Sequence, residues 1–337
     1  MAEGIWSDGE LQRVATLYYG HDETTEAIAA RTGVSRSTVS RQLKAARDKG
    51  IVRITVATDG GTGSIGRQLA DRFGIRAHVV PVRETATDAQ RLAQVARTAG
   101  RLLSETVTSD MVLGLAWGTT VSTTMEHLVP KATRGTVVVQ LNGAVHASST
   151  EVLSVSDLLG RACAAFEARP VFFPVPAFFD DPATKAALWR ERSIQTVVDL
   201  QRSCHVVVFG VGSWTGSLTS QVYDGTYLDQ ADMADLEAAR AVGDVCTTFY
   251  RADGSYADLA INQRSSGPGF DQLKDVPRRL CVSASPARAT GTIGALRAGV
   301  VTDLVVDEQT AQAVLDLEAR QRPLRPARSR DARRSGE

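Results

Sequence analysis

The hydrophobic positions along this chain follow two different periods. Near the amino terminus, between residues 8 and 19, apolar side chains recur every three or four positions, at Leu11, Val14, Ala15, Leu17 and Tyr18. This spacing places them on one face of a helix. From residue 64 onward, short runs rich in valine alternate with stretches of helical period. The chain is therefore predicted to begin with a helical module and to continue as alternating strands and helices.

The strands and helices predicted for the larger part alternate regularly. The strand-length runs are residues 77–82, 111–116, 136–141, 171–174, 205–210, 245–250, 280–283 and 303–306. The helical stretches are residues 88–107, 119–128, 153–166, 185–200, 231–241, 292–298 and 308–319. Because most of these strands are continuously apolar, they are expected to be buried on both faces. The predicted fold class is α/β, with a Rossmann-like parallel sheet between layers of helices.

The segment after the first helix has the spacing of a helix-turn-helix. Ala29 is small where the two helices would cross, and Gly33 suits the tight turn between them. Val39 and Leu43 would hold the second helix on the first. Ser35 stands where an N-cap belongs, so the second helix is predicted to begin directly after it. The preceding amphipathic helix supplies the third helix that such a module needs for a core.

The second helix of this segment carries a local positive charge. The whole chain balances 38 basic against 38 acidic residues, yet residues 35–50 hold five basic residues and one acid. This distribution favours a binder of double-stranded DNA, in which phosphate contacts set the position and polar side chains contact base edges. We expect base contacts from Arg36, Ser37, Ser40 and Arg41. We expect backbone contacts from Thr25, Ser35 and Lys44, with Thr38 at the same helix tip. An ordinary helical hairpin with a solvated basic face is the alternative.

Length and composition indicate more than one domain. The chain has 337 residues, of which 43% are hydrophobic and only 6% aromatic, so a large aliphatic core is expected. We predict a DNA-binding domain over residues 1–56, ended by a short strand at 51–56, and a linker over 57–63. An effector domain is predicted over residues 64–319. The arginine-rich segment 320–337 has no apolar periodicity and is expected to be disordered.

Several classes of protein do not fit this sequence. None of its apolar runs approaches the roughly 18 residues of a membrane span, and no signal pattern opens the chain. A cytoplasmic protein without a membrane partner is therefore expected. The four cysteines are dispersed without a C-x-x-C pair, which predicts reduced core thiols rather than a metal site or a disulfide framework. No cofactor is expected.

Four of the predicted strands end in glycine, hydroxyl or amide residues. These ends lie at residues 117–120, 142–143, 210–213 and 283–288, and they include Gly143, Gly210 and Gly212. Glycine lets backbone N–H groups approach an oxyanion, and serine and threonine add hydroxyl donors. A small, anionic, hydroxylated ligand would suit such an edge. Glycine is also common in ordinary strand-to-helix loops, so a single loop would not indicate a site. The prediction depends on four such loops at the same edge of the sheet.

The order and spacing of several short motifs resemble the SorC/DeoR-type sugar-binding transcriptional regulators. The motifs are Arg13-Val-Ala-Thr-Leu-Tyr-Tyr, Leu115-Ala-Trp-Gly-Thr-Thr, Gln140-Leu-Asn-Gly, Gly243-Asp-Val-Cys, Asn262-Gln-Arg and the ending that starts at Ala295. The resemblance extends from Leu11 to about Leu317. It implies a regulator of a carbohydrate-catabolic operon, with no enzymatic activity. It also implies a sensor domain similar in fold to sugar-phosphate isomerases, and assembly as a homodimer or homotetramer.

The same resemblance implies roles for individual residues. Gly118, Thr119 and Thr120 would hold a phosphate, together with Arg288, where the family more often has lysine. Asn142 and Asp253 would contact sugar hydroxyls, and Asp157 stands where asparagine is common. The chain departs from the family at Ala284-Ser285, where paired glycines are expected. A sugar phosphate, an unphosphorylated sugar and a sugar alcohol all remain open as effector.

Two rival functions follow from other residues. Residues 61–66 spell G-x-G-x-x-G, with Glu84 downstream, which would indicate a nicotinamide-dinucleotide-sensing redox repressor. Arg53 and Thr55 argue against a buried strand before these glycines, so we interpret the run as linker, with a helix starting at residue 64 or 65. The second rival is a DNA-tethered sugar-phosphate isomerase, with a base among Asp157, Asp253 and Asp258.

Overall fold

The computed structural model describes residues 6–21, 23–52, 61–144, 151–214, 220–223 and 227–320. The chain divides into two compact units, Met1–Thr58 and Asp59–Glu337. Of the predicted strand at 51–56, Ile51 and Val52 are described, and neither lies in a strand. Of the predicted tail, Arg320 ends a helix and the remainder lies outside the described residues.

The described residues of the first unit form three α-helices, with a π-helical turn after the first of them. They are α1 Asp8–Ala15, followed by the turn Thr16–Gly20, then α2 Thr25–Thr32 and α3 Arg36–Asp48. Ser35 caps α3 as predicted, since its hydroxyl accepts a hydrogen bond from the Thr38 N–H at 3.1 Å. Gly33 has a φ of +72°, which glycine adopts without strain. Buried Ile28, Val39 and other apolar side chains form the core between the helices.

The second unit contains nine strands among the residues that the structure describes. They are β1 Arg76–Val80, β2 Val112–Leu115, β3 Val137–Gln140, β4 Arg169–Val171, β5 Val206–Gly210, β6 Ala241–Val245, β7 Thr248–Arg251, β8 Arg278–Ser283 and β9 Asp303–Asp307. Seven form one sheet in the order β1-β9-β8-β5-β2-β3-β4, and every pair in it is parallel. The other two, β6 and β7, form an antiparallel hairpin.

Helices lie between most of the strands. They are α4 Gly61–Phe73, α5 Asp88–Thr106, α6 Thr119–Met125, α7 Glu151–Phe166, α8 Pro182–Leu188, α9 Arg192–Arg202, α10 Gln230–Ala238, α11 Ile261–Arg264, α12 Phe270–Asp275, α13 Ala289–Arg297 and α14 Glu308–Arg320. No helix among the described residues has the length and apolar character of a membrane span.

The main sheet is buried on both faces, as its apolar strands predicted. In β5, Val206 and Val208 belong to one hydrophobic cluster, whereas Val207 and Phe209 belong to the other. Successive side chains of a strand point to opposite faces, so each cluster is the core on one side of the sheet. The predicted α/β class with a Rossmann-like parallel sheet is therefore confirmed.

Two predicted elements were wrong. Residues 245–250 are not one strand, because the chain reverses at Cys246 and Thr247, which have φ values of +50° and +64°. Neither residue is one of the glycine, asparagine or aspartate types that mark such turns, so the apolar run gave no signal of it. The predicted helix 185–200 is two helices, α8 and α9, and the break between them contains neither proline nor glycine.

The glycine run that suggested a dinucleotide site lies inside a helix. Gly61 and Gly66 both belong to α4, so this helix begins before the predicted start at residue 64 or 65. A dinucleotide fingerprint needs its glycines in the turn between a strand and a helix, where backbone N–H groups face the pyrophosphate. The structure therefore contradicts the redox-repressor interpretation.

A buried carboxylate joins three strands at the amino-terminal end of the sheet. Asp303, at the start of β9, is fully buried. Arg76 in β1 contacts both its carboxylate oxygens, at 2.7 and 2.6 Å, and Arg278 in β8 lies 3.1 Å away. Burial alone would raise the pKa of the Asp303 carboxyl, but His78, Arg76, Thr302 and the charge of Arg278 hold that pKa well below its usual range.

We predict that Asp303→Asn destabilises the protein by about 3 kcal/mol at pH 7, because it leaves two arginines without their buried partner. A carboxyl with a depressed folded-state pKa stabilises the fold above its unfolded pKa of about 4, and this contribution is lost as the pH falls further. Urea denaturation measures the free energy of unfolding of the variant and of the wild type at pH 7 and at pH 3. The difference between the two proteins should be smaller at pH 3. Asp199→Asn, at an exposed ion pair, is the control and should change little. An equal difference at both pH values would contradict the prediction.

Candidate functional site

A cleft opens at the carboxyl ends of the central strands. From β2 the chain proceeds to β3 and β4 on one side of the sheet and then returns to β5 on the other side. Ligand sites in open parallel sheets lie at such a reversal of strand order. Seven residues expected from the sequence line this cleft: Gly118, Thr119, Thr120, Asn142, Gly210, Gly212 and Arg288.

Glycines keep the cleft open where β2 and β5 end. Gly118 has a φ of +134°, and a side chain there would meet nothing within 4 Å, so its role is conformational. Thr119 follows as an exposed residue and Thr120 as a buried one. A Cβ atom on Gly210 would lie 3.1 Å from the Thr120 Cβ. Glycine at position 210 therefore allows the end of β5 to approach the first turn of α6.

Asp244 lines the cleft and was not predicted as a site residue. Its backbone exchanges hydrogen bonds with Gly212, at 2.8 and 3.3 Å, which ties the β6–β7 hairpin to the end of β5. Its carboxylate accepts hydrogen bonds from the Tyr223 hydroxyl at 2.8 Å and from the Thr247 N–H at 3.0 Å. A Cβ atom on Gly212 would overlap this carboxylate. The motif Gly243-Asp-Val-Cys was the available signal, but its place on a separate hairpin was not predictable.

Arg288 contributes the positive charge of the cleft. The side chain is buried, and its Nη1 donates to the Val211 carbonyl at 2.6 Å. Burial lowers the pKa of the guanidinium, and the carboxylates of Asp244 and Asp88 act in the opposite direction. Among the described lining residues, Arg288 and Asp244 carry the charge, and their charges are opposite.

A strained turn holds Arg288 in place. Ser285 stands where the family resemblance led us to expect glycine, and its φ of +93° is unfavourable for a residue with a side chain. Its N–H donates to the buried carboxylate of Asp307 at 3.1 Å. The same carboxylate accepts from Arg91 at 3.3 Å and from the Thr310 N–H at 3.1 Å. These contacts fix the turn, and the Arg288 N–H donates to the Ser285 carbonyl at 3.0 Å.

Asn142 has a buried side-chain acceptor that lacks a hydrogen-bond donor among the described residues. The residue is 2% exposed and lines the cleft. Its backbone carbonyl accepts from Gln140 at 2.8 Å, but no described residue donates to its side-chain Oδ1. A buried polar atom without a partner is costly. A hydroxyl group of a ligand in the cleft could supply the missing hydrogen bond.

The structure does not bring three of the expected effector residues into the cleft. Gly143 lies behind it, where its N–H donates to Ser266 at 2.9 Å and its carbonyl accepts from Trp117 at 2.7 Å. Asp157 is exposed on α7, outside the lining set. Asp253 is exposed in a turn and accepts from the Ser255 N–H at 2.9 Å. The Ser255 hydroxyl also donates to this carboxylate, and the two hydrogen bonds lower the pKa of Asp253. This arrangement is that of an ordinary turn.

Seven of the eight residues expected to contact DNA lie on α3 or at its N-cap, and Thr25 is the first residue of α2. Six of the eight are exposed: Ser35, Arg36, Ser37, Ser40, Arg41 and Lys44. Thr25 and Thr38 are half-buried. The Ser35 hydroxyl lies 2.8 Å from that of Ser37 and 2.9 Å from that of Thr38, which brings three hydroxyls together at the start of the helix. Such an arrangement suits contacts to phosphate and base edges.

The described residues hold no group of three or more histidine, cysteine, aspartate or glutamate side chains that could bind a metal. Three cysteines are buried, and Cys163 is half-buried rather than in the core. Burial raises the pKa of the Cys163 thiol to about 11 and that of the Cys204 thiol to about 12, so both stay protonated at neutral pH. Asp157, Asp253 and Asp258, the bases of the isomerase alternative, do not line the cleft.

Two family models match the chain. The Sugar-bind family, a sugar-binding domain, matches residues 60–316, and region 4 of sigma-70 matches residues 10–49. The second match favours a DNA-binding helix-turn-helix over an ordinary helical hairpin.

Similar proteins are known over nearly the whole chain. The deoxyribonucleoside regulator of Bacillus subtilis (strain 168) is 29% identical over 304 residues, which cover 90% of this chain and 96% of that protein. A solved domain of a possible sugar-binding transcriptional regulator from Arthrobacter aurescens TC1 is 41% identical, with a TM-score of 0.72, over 77% of this chain and 100% of that one.

The full-length sorbitol operon regulator of Klebsiella pneumoniae has the same fold. It is 23% identical, with a TM-score of 0.75, over 93% of this chain and 100% of that one. All three of these relatives are named as regulators, and none as an enzyme. This chain belongs to the SorC/DeoR-type family of sugar-binding transcriptional regulators.

Proposed function

We propose that this regulator binds a small sugar phosphate in the cleft at the strand ends, and that the bound sugar changes the affinity of the helix-turn-helix for its operator. The observation that supports this proposal most directly is that hydrogen-bond donors and acceptors converge in the cleft. Arg288 and the loop Gly118–Thr120 offer donors, whereas Asn142 and Asp244 offer acceptors. A phosphate needs the first group and sugar hydroxyls need the second.

The opposite charges in the cleft are also compatible with an uncharged effector, such as a sugar or a polyol. Asp244 offsets the charge of Arg288, so an anion gains less from this site than from an arginine without an acidic neighbour. An unphosphorylated sugar or a polyol would use Asn142 and Asp244 in the same way. We favour the phosphate, because the open Gly118 loop and the Thr119 hydroxyl add neutral donors beside the guanidinium.

A thermal-shift screen decides between these classes. Matched pairs of pentoses, hexoses and polyols, each with and without a phosphate, would be compared with buffer. A ligand that binds only the folded state at 100 times its Kd stabilises the protein by about 2.7 kcal/mol. We expect the phosphorylated member of one pair to raise the melting temperature most. If no member of any class raises it, the proposed effector site is wrong.

We propose that control of DNA binding works through the spacing of paired recognition helices. A homodimer presents two copies of α3 and a homotetramer presents four. A pair of recognition helices related by two-fold symmetry needs DNA half-sites separated by about 34 Å or multiples of it. Effector binding would change the arrangement of protomers and so this spacing. A small rotation is sufficient, because a typical coupling free energy between sites is only about 1–3 kcal/mol.

Arg41→Ala is expected to abolish sequence-specific DNA binding while the effector domain stays folded. Arg41 is exposed on α3, and its Nε lies 3.3 Å from the Ser37 carbonyl of its own helix, so little stability depends on it. Loss of a base contact costs about 1–3 kcal/mol in each half-site. Mobility-shift titration measures the DNA affinity, and effector binding reports the folded second domain. Arg13→Ala, which removes an exposed arginine from α1, is the control. If the Arg41→Ala variant discriminates between operator and unrelated DNA as well as the wild type does, Arg41 contacts no base.

Thr119→Val is expected to leave operator binding intact and to weaken the effector response by about tenfold, because a hydrogen bond to a charged group is worth roughly 1.5–3 kcal/mol. The measurement is the effector concentration that gives half of the maximal change in operator affinity. Thr196→Val replaces an exposed threonine on α9 and should respond like the wild type. If Thr119→Val responds at the wild-type concentration, Thr119 is not part of the effector site.

A further inference from the structure

An acidic residue of α2 holds the first residue of the recognition helix α3. The Arg36 Nη1 donates to the Glu26 Oε1 at 2.5 Å, across the turn between the helices. The two other cationic side chains expected to contact DNA, Arg41 and Lys44, are bound within α3 itself. Arg41 contacts the Ser37 carbonyl at 3.3 Å, and Lys44 contacts Asp48 at 2.5 Å. Of the four residues expected to contact bases, Arg36 has an acidic partner on another helix among the described residues.

The positions of both residues follow from the helix ends. Thr24 caps α2 through the Ala27 N–H at 3.2 Å, and Glu26 lies in the first turn, where the helix dipole favours an acid. Arg36 opens α3, where the same dipole disfavours a cation. An acid within reach of Arg36 offsets this unfavourable placement.

The contact between Glu26 and Arg36 contributes little to the stability of the free protein. The two side chains are 66% and 65% exposed. Exposed ion pairs are worth about 0–1 kcal/mol. A DNA duplex seated on the tip of α3 would exclude water from this pair, and charges interact more strongly when the surrounding dielectric falls. The pair therefore gains most of its strength in the complex.

The geometry also leaves Arg36 able to contact a base. Glu26 occupies one N–H of Nη1, and the edge formed by Nε and Nη2 is not used by that contact. A guanidinium edge donates to O6 and N7 of guanine in the major groove, which is the commonest specific contact of arginine with DNA. An arginine fixed by a carboxylate loses less side-chain freedom when it makes this contact.

We infer that Glu26 is a positioning residue that sets the specificity of this regulator by orienting Arg36 toward a guanine in each half-site. The inference rests on the proposed binding of operator DNA by α3. It assigns to Glu26 a favourable role in the specific complex, although its negative charge alone would repel phosphates.

The test begins by selecting duplexes from a random library with the full-length wild-type protein. Affinities for the selected duplex, and for duplexes changed at each position, are then measured for wild type, Glu26→Gln, Arg36→Ala and the double variant. We expect Glu26→Gln to bind the selected duplex about fivefold more weakly. The loss is partial because Arg36 is still present, whereas loss of a whole base contact costs about 1–3 kcal/mol. We also expect Glu26→Gln to lose preference at one guanine per half-site only. In the Arg36→Ala background, Glu26→Gln should have no further effect.

Asp8→Asn is the matched control. It removes the same charge from an exposed ion pair of this unit, between Asp8 and Lys49 at 2.9 Å. It should leave the base preference unchanged, and thermal melts of all variants should agree with the wild type.

Two results would overturn the inference while the proposed function stands. In the first, Glu26→Gln binds all duplexes more tightly with unchanged base preference, which would make Glu26 a simple repulsive charge. In the second, the effect of Glu26→Gln persists in full in the Arg36→Ala background. A wild-type protein that enriches no sequence from the library would be a different result, because it would overturn the proposed DNA-binding role of α3 together with the inference.

Discussion

Every strand of the main sheet runs in the same direction, and the arrangement of the cleft depends on this constraint. Parallel strands carry all of their carboxyl-terminal loops to one edge. The loops after β2, β3, β5 and β8 therefore meet, although long segments of chain separate them. Helices bury both faces of the sheet, so polar groups for a ligand have to come from these loops. The cleft is thus a consequence of the strand direction and of the residues at the strand ends.

Two sets of contacts complete the cleft. The β6–β7 hairpin reaches the end of β5 through the backbone of Gly212 and Asp244, and it delivers a buried carboxylate. The Asp307 carboxylate fixes the turn that contains Ser285 and leads to Arg288. A strained backbone at Ser285 persists because the surrounding contacts determine it. Contacts with neighbouring residues therefore fix the positions of both charged residues, Asp244 and Arg288.

The sequence predicted most strongly what depends on local patterns. The caps at Ser35 and Gly33 follow from short-range hydrogen bonding and backbone freedom, and the parallel strands follow from their continuous apolar runs. Residues directly at strand ends, such as Gly118 and Asn142, were placed together because the strand direction determines their edge. The family resemblance added Arg288, which a loop pattern alone would not single out.

What the sequence could not predict depends on contacts between distant segments. Asp244 reaches the cleft only because the chain reverses at Cys246 and Thr247, two residues that rarely form such a turn. Asp253 had the chemistry for sugar binding, but its turn satisfies its carboxylate locally. In the same way, Gly143 follows a strand end but uses its backbone groups to hold Trp117 and Ser266. Residue type indicated the chemistry in each case, whereas tertiary contacts decided which residues are available for a ligand.

We propose that effector binding in the cleft and operator binding by α3 are thermodynamically coupled. Calorimetric titration of the effector into the protein, with and without saturating operator duplex, tests this most directly. Coupling is reciprocal, so the duplex must change the effector affinity by the same factor by which the effector changes the operator affinity, about fivefold or more. Our account predicts equal factors of that size. An effector affinity that is identical with and without the duplex would contradict it.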